Sequence, residues 1–254
     1  MNFTELKNFC LNEEKKSFSG WDFSYINERT IEEPLPWSYD QIVRSCLSPE
    51  QKLLDMGTGG GEYLLSLKHP YANTCATEAY PPNYELCKNT LVPLGIDVRQ
   101  VFDDGALPFE AGMFDIILNR HESYSADEVF RLLKPGGLFI TQQVGGLNNK
   151  ELGRFLLGDF KQIIDPEHNL KKNIALFSSQ GFTIIKAEEF FPKLKFLDIG
   201  ALVYFAKIIE WEFPGFSVDS CFEKLCNLQA VLERSGYIES MEHRFLIAAQ
   251  KPIN

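Results

Sequence analysis

From Lys52 to Val144 the chain places short, continuous apolar runs between segments whose apolar residues recur every three or four positions. Such runs read as buried strands, and the spaced segments as amphipathic helices. Strands are expected at Lys52–Met56, Thr74–Glu78, Asp97–Phe102, Phe114–Asn119 and Leu138–Val144, with two more at Gly181–Phe190 and Arg244–Gln250. Helices fall between them. One runs through Leu64–Lys68, one covers Asn83–Leu94 with Gly95 closing it, and one opens at a Ser125–Glu128 capping box and runs to Leu133. Lys134–Gly137 is an expected turn. Strands alternating with helices predict an α/β fold, a doubly wound and mostly parallel sheet of seven strands covered on both faces.

The flanks follow a different pattern. The first fifty residues lack strand alternation, are rich in aromatic and charged side chains, and end in a helix capped by Ser38 with Gln41 three positions on. Residues 1–49 are therefore expected to form an N-terminal helical cap, and residues 50–254 the main domain. Between the sixth and seventh strands, residues 198–236 read as two helices, Ile199–Trp211 and Val218–Arg234. That connection is too long for a tight turn and is expected to be a cover insertion. Trp21, Phe23 and Trp37 in the cap, with Tyr204, Phe205 and Trp211 in the cover, are candidate selectors of a small acceptor in an enclosed pocket. The alternative is that these aromatics are core.

Composition narrows the function classes. The net charge of −10 works against a broad nucleic-acid footprint, and residues 150–195, with eight Lys or Arg against six Asp or Glu, are close to neutral. The most apolar stretch, Phe196–Phe213, is interrupted by Asp198, Lys207, Glu210 and Glu212, so no membrane span is expected. The polar opening residues hold no apolar signal core, which points to a cytoplasmic protein. The six cysteines form no C-x-x-C pair and the four histidines join them in no ligand cluster, so no metal site is expected. A homodimer is left open.

The sharpest motif is Leu53-Leu54-Asp55-Met56-Gly57-Thr58-Gly59-Gly60-Gly61-Glu62, a strand running through glycines into a helix. Such a turn lets backbone approach a ligand at the carboxyl edge of a sheet. Glu62 occupies the position where a dinucleotide loop needs a small residue, and no Lys-Ser/Thr follows as in a triphosphate loop. Asp55, at the strand end, would repel a pyrophosphate and favour a ligand bearing an ammonium and a sulfonium. Glu78 closes the next strand 23 residues on, the spacing at which an acid accepts both ribose hydroxyls. Asp103 and Asp104 follow the third strand and would meet an adenine end.

These segments resemble the class I S-adenosylmethionine-dependent methyltransferases, the type 11 branch in particular. The matching stretches are LLDMGTGGGE (53–62), the acid in CATEAY (75–80), DDGALPF (103–109), MFDIILNRHESY (113–124) and VFRLLKPGGLFITQQ (129–143). The likeness covers roughly residues 50–145, and the strand–helix–strand ending fits the family's last two strands, the final one antiparallel. It implies S-adenosyl-L-methionine as cofactor and S-adenosyl-L-homocysteine as product. It implies that Asp55, Gly57 and Gly59 line the methionine part, Glu78 the ribose, and Asp103 and Asp104 the adenine, with Asn119 bordering the transfer site. Thr58, Gly61 and Ala79 complete the candidate cofactor-binding set. Gly60 beside Gly61 is a departure that leaves open which amide meets the cofactor carboxylate.

Methyl transfer needs alignment, exclusion of water and sometimes removal of a proton, with no covalent protein nucleophile. Candidates for that work leave the fourth strand at its carboxyl end. His121 titrates near neutrality and is a candidate base, or else a loop histidine that positions Arg120. Arg120 is a candidate to hold a substrate carboxylate or to pair with Glu122, and Tyr124 to wall the pocket. The expected reaction is methylation of an oxygen or nitrogen of a small molecule. The alternatives are an RNA (rRNA or tRNA) methyltransferase and a non-catalytic module that binds S-adenosylmethionine without turnover.

Overall fold

A computed structural model describes residues 2–18, 23–159 and 163–253. In chain order the elements are α1 (Phe3–Glu14), β1 (Thr30–Glu32), α2 (Tyr39–Cys46), β2 (Leu53–Met56), α3 (Glu62–Ser66), β3 (Thr74–Glu78), α4 (Pro81–Thr90), β4 (Asp97–Gln100), β5 (Phe114–Arg120) and α5 (Ala126–Leu132). They continue with β6 (Leu133–Val144), α6 (Lys150–Leu157), α7 (Leu170–Ser179), β7 (Thr183–Phe190), β8 (Lys193–Phe196), α8 (Ile199–Ile208), α9 (Val218–Ser235), β9 (Ile238–Met241) and β10 (Arg244–Gln250). The chain divides into two compact units. One comprises Met1–Pro36, Gly145–His168 and Phe190–Arg244; the other comprises Trp37–Val144, Asn169–Glu189 and Phe245–Asn254.

The second unit holds a seven-stranded sheet in the order β4-β3-β2-β5-β6-β10-β7, mostly parallel with one antiparallel strand, as the apolar runs predict. Because successive side chains on a strand point to opposite faces, each run splits between two cores. Leu53, Ala76, Ile116, Leu118, Ile140 and Leu246 pack on one face with Val43, Leu64, Cys87 and Leu91 of the helices. Leu54, Met56, Cys75, Ile117, Phe139 and Phe245 pack on the other with Val129, Leu132 and Phe177. Both faces are dry, which is why the runs are continuous rather than alternating. The order winds outward from β2 to β3 and β4, then returns so that β5 lies on the other side of β2. The carboxyl ends of β2 and β5 therefore flank a topological switch point, where sheets of this kind bind ligands. The register pairs Met56 with Asn119 on one side and with Thr77 on the other.

Caps at Ser38 and Ser125 form as expected, their hydroxyls accepting the Gln41 and Glu128 amides. Several boundaries differ. The helix after β3 starts at Pro81 and stops at Thr90, with a 3-10 turn at Val92–Leu94, because Pro93 cannot donate a helical hydrogen bond. The first sheet helix begins two residues earlier, at Glu62. Lys134–Gly137, expected as a turn, lies within β6 as a bulge, the register against β5 jumping from Leu133 to Leu138.

The first unit was expected to be helical, but it also contains an antiparallel sheet in the order β1-β8-β9. Thr30 pairs with Phe196, and Lys193 with Met241. Residues 37–49, assigned by sequence to the cap, group with the large sheet instead, while residues 145–168 join the first unit. Its core is formed by Leu6, Phe196, Leu202, Val203, Phe213 and Leu225, among others. Near that core sits a knot of polar groups. The Asn148 and Asn149 amides donate to the two Glu212 carboxylate oxygens at 2.6 and 2.7 Å, and Ser240 donates to Asn149 Oδ1 at 2.6 Å. Asn148 Oδ1 accepts from the His243 amide and from Arg244, which also pairs with Glu242 at 2.6 Å.

Candidate functional site

Strand β2 ends in a glycine turn tied to the tip of β3. The Thr58 amide donates to the Thr77 carbonyl at 3.0 Å, and the Gly59 amide to Glu78 Oε2 at 2.7 Å. Gly57 must be glycine twice over. Its φ of 66° is left-handed, and a Cβ there would come within 2.5 Å of the Glu122 side chain. At Gly59, also left-handed at 63°, a Cβ would meet no atom within 4 Å, so backbone here borders open space. Gly61 caps α3 in the same left-handed conformation.

Two carboxylates are buried at these strand tips. Asp55 is 6% exposed, and burial pushes its carboxyl up to about 6. The Thr58 side chain and the Arg120 charge oppose that rise, and the Glu78 charge adds to it. Glu78 is 5% exposed, and each of its oxygens accepts one backbone amide, from Gly59 or from Tyr80, leaving a second lone pair on each. Ala79 is half-buried beside it. Asp103 is exposed and takes the Gly105 amide, while Asp104 is half-buried and accepts the Ser123 hydroxyl.

Buried polar side-chain atoms are rarely left without a partner. Among the described residues two are, Thr58 Oγ1 and Tyr63 Oη. Thr58 lies close enough to Asp55 to lower its proton affinity, yet no hydrogen bond of acceptable geometry joins them. Both hydroxyls belong to the glycine turn and the helix it opens, and both side chains are electrostatically coupled to Asp55. Among the described residues, the two buried side-chain polar atoms without a partner thus both lie at this turn.

The candidates after β5 are distributed unevenly. Asn119 is fully buried, its Oδ1 accepting from Thr141 and Gln143 and its Nδ2 donating to the Ser123 carbonyl. Its side chain braces the 120–123 loop. Arg120 is exposed and lies over the Tyr63 ring at 4.7 Å. The expected pair with Glu122 does not form among the described residues. Tyr124 is half-buried against the core, stacked on Phe177 and donating its hydroxyl to Asn173 at 2.7 Å. His121 takes a left-handed φ of 62°, with its amide bonded to the Gln142 carbonyl at 2.8 Å.

The sequence did not single out two neighbours, Glu122 and Gln142, as site residues. Glu122 lies against Gly57, and burial pushes its carboxyl above the ordinary range, with Asp104 and Glu78 adding to the rise. Gln142 Nε2 meets His121 Nε2 at 3.2 Å, and Gln142 Oε1 accepts the Trp37 indole N–H at 2.9 Å. The only sequence signal for them was position, beside an expected site segment. Trp37, a suggested selector, thus works in the sheet unit. Phe23, Tyr204, Phe205 and Trp211 pack in or against the core of the other unit, and Trp21 lies outside the described residues.

Comparison with known proteins agrees with this arrangement. Residues 54–141 match the model of the methyltransferase domain of the type 11 family. An uncharacterised methyltransferase of Synechocystis sp. is 33% identical over 106 residues, 37% of this chain and 47% of that protein. The chain therefore aligns with about half the length of that relative. Among solved structures, a candidate methyltransferase of Bacillus halodurans superposes with a TM-score of 0.58 at 13% identity, over 84% of this chain and 98% of the other. An S-adenosylmethionine-dependent methyltransferase of Methanosarcina mazei gives 0.51 at 17% identity, over 84% and 98%. Sheet order, glycine turn and matched segment together identify residues 54–141 as a class I methyltransferase domain of the type 11 family.

Proposed function

We propose that the chain is a cytoplasmic enzyme that transfers a methyl group from S-adenosylmethionine to an oxygen or nitrogen of a small molecule. The observation that carries this reading is the concentration of orphaned hydroxyls and buried carboxylates around one glycine turn. Glu78 is coupled both to Asp55 and to Glu122, and a further anion such as a pyrophosphate would raise the cost of these negative groups. A cationic ligand lowers it. When bound, S-adenosylmethionine supplies a methyl group on a positively charged sulfur. Asp55 would hold the ammonium end, Thr58 Oγ1 would gain a partner, and the free lone pairs of Glu78 suit a ribose diol. Asp103 and Asp104 would meet the adenine.

The same acidity favours a small acceptor over RNA, whose phosphates would meet four carboxylates at or beside the crevice in a chain of net charge −10. Calorimetry with S-adenosylmethionine, S-adenosylhomocysteine and NAD tests the cofactor; binding of NAD alone contradicts the proposal. Incubation with methyl-labelled cofactor against a metabolite extract and against total RNA tests the acceptor. Label confined to RNA would overturn the small-molecule reading, and tight cofactor binding without label in either would favour a non-catalytic module.

A further inference from the structure

Glu122, Ser123 and Asp104 form a row in which one hydroxyl proton serves two carboxylates. The Ser123 hydroxyl donates to Asp104 Oδ2 and lies 3.2 Å from Glu122 Oε1. A serine hydroxyl carries a single proton and two lone pairs, so it cannot donate in both directions at once. With both acids ionised, one of the two contacts lacks a proton. Both are made when one acid is protonated: Glu122 then donates to Ser123, and Ser123 to Asp104. Shifting the protons along the row leaves the extra one on Asp104. The row can therefore hold one proton and pass it.

The inner end of the row lies on the glycine turn. Glu122 is half-buried, and its Oε2 stands 2.8 Å from where a Cβ at Gly57 would be. No described residue donates to that oxygen, whereas Oε1 also takes the Ser123 amide at 3.1 Å. Thr58, the next residue of the turn, is 8% exposed with its hydroxyl unpartnered. Burial, with the charges of Asp104 and of Glu78 at the tip of β3, favours a proton on Glu122. The outer end is open: Ser123 is exposed and Asp104 half-buried. The backbone between is pinned to the sheet by two buried side chains. Gln143 Nε2 donates to the Glu122 carbonyl at 3.0 Å, and Asn119 Nδ2 to the Ser123 carbonyl at 3.3 Å.

We infer that Glu122 is the base of the methyl-transfer site, its free Oε2 taking the proton that the acceptor's reacting nitrogen or oxygen loses, and that Ser123 and Asp104 carry that proton to solvent. In this step the acceptor atom bonds to the methyl carbon and the carbon–sulfur electron pair returns to sulfur. The N–H or O–H pair stays on the acceptor as its proton moves to Glu122. Rotation of the carboxyl about its Cγ–Cδ bond then presents the proton to Ser123. The acceptors this suits enter with a proton on the reacting atom, as an amine or a hydroxyl does; an oxygen already ionised would have no use for the row. Asp104 meets Ser123 through its side chain, which leaves its backbone amide for the adenine. Ser123 and Asp104 are positioning residues in this account. The base role rests on the methyltransferase proposal, but the shared proton does not.

Infrared difference spectra of the cofactor-free full chain, wild type minus Glu122→Gln, read the shared proton. A protonated-carboxyl band is expected, with its midpoint above the ordinary value of 4.5. Methyl-labelled S-adenosylmethionine at saturation, with the small-molecule fraction of a metabolite extract as acceptor, tests the base. Label transfer should fall at least about a hundredfold in Glu122→Gln, the low end of what a general base contributes. The wild-type rate should drop as pH falls through the Glu122 value, because the base must be ionised, and Glu122→Gln should lose this acid limb. Asp55, which titrates near 6 in the same turn, acts on cofactor binding, and saturation removes it from the comparison. Ser123→Ala should slow transfer by a smaller factor, and Ser123→Thr, which keeps a hydroxyl, should restore it. Retained binding of S-adenosylhomocysteine reports that each variant is folded. A Glu122→Gln protein that labels within a few-fold of the wild type overturns the inference. So does an acid limb that survives in it or disappears in His121→Asn instead, or a wild type without the infrared band. Equal rates for Ser123→Ala and the wild type remove the relay. A wild type that transfers no label is a failure of the methyltransferase reading, and the infrared band is independent of it.

Discussion

Asp55 in the sheet unit and Glu212 in the other unit are carboxyls under the same stress with opposite remedies. Burial raises both, Asp55 to about 6 and Glu212 to about 7. Glu212 is answered inside the protein: two asparagine amides donate to it, and those amides are oriented by Ser240, Arg244 and the His243 backbone. Asp55 has beside it a threonine hydroxyl that forms no proper hydrogen bond, and a second orphaned hydroxyl on Tyr63. A half-buried acid whose two oxygens are both matched is a structural device. An unsaturated one beside a glycine turn and open space is a candidate to take its partner from a ligand. Burial or pKa alone would not separate the two.

The comparison can be broken most strongly through pH. Glu212 has a folded value of about 7 against an ordinary value of 4.5, so between these the folded state binds more protons than the unfolded one. Its stabilising contribution is present below about pH 4.5 and is lost as pH rises through 7, a change of at most about 3.4 kcal/mol. Urea unfolding of Glu212→Gln should show a flatter dependence over that window than the wild type. An unchanged slope would mean that Glu212 is not the buried proton carrier.

Next in size is Asp55→Ala. Loss of a charge-assisted contact, worth roughly 1.5–3 kcal/mol, should weaken S-adenosylmethionine binding at least about tenfold. Thermal stability at pH 7 should be unchanged or higher, because an unmatched buried acid has gone. Glu212→Gln should do the reverse, changing stability and leaving affinity alone. The smallest effect is expected for Tyr124→Phe, which removes the bond to Asn173 and should cost about 1 kcal/mol of stability with no change in turnover. Impaired turnover in a stable Tyr124→Phe protein would return that residue to the site.

The sheet unit was legible because its signals are local. Leu53–Met56 and Phe114–Leu118 are apolar enough to announce strands buried on both faces, and Gly57, Gly59 and Gly61 mark the turn between. The other unit was not, because three separated stretches close only in space. Its strands Thr30–Glu32, Lys193–Phe196 and Ile238–Met241 are three or four residues long and mix charge with apolar side chains, too short for a period to show. Within the site, Asp55 and Glu78 could be placed because a strand end fixes where they emerge. Asn119, Glu122 and Tyr124 could not, because their direction depends on contacts with Thr141, Gly57 and Asn173 that spacing does not encode.

Proton release on cofactor binding tests the central claim most directly. At pH near 6 Asp55 should be about half protonated, and a cation beside it should expel that share, roughly half a proton per site. Calorimetric titration with S-adenosylmethionine, repeated in buffers of different ionisation enthalpy, measures the quantity. Binding accompanied by proton release that largely disappears in Asp55→Asn is the predicted result. Binding with no proton exchange, or heat from NAD and none from S-adenosylmethionine, would contradict the assignment of the strand-tip acids to a cationic sulfur donor.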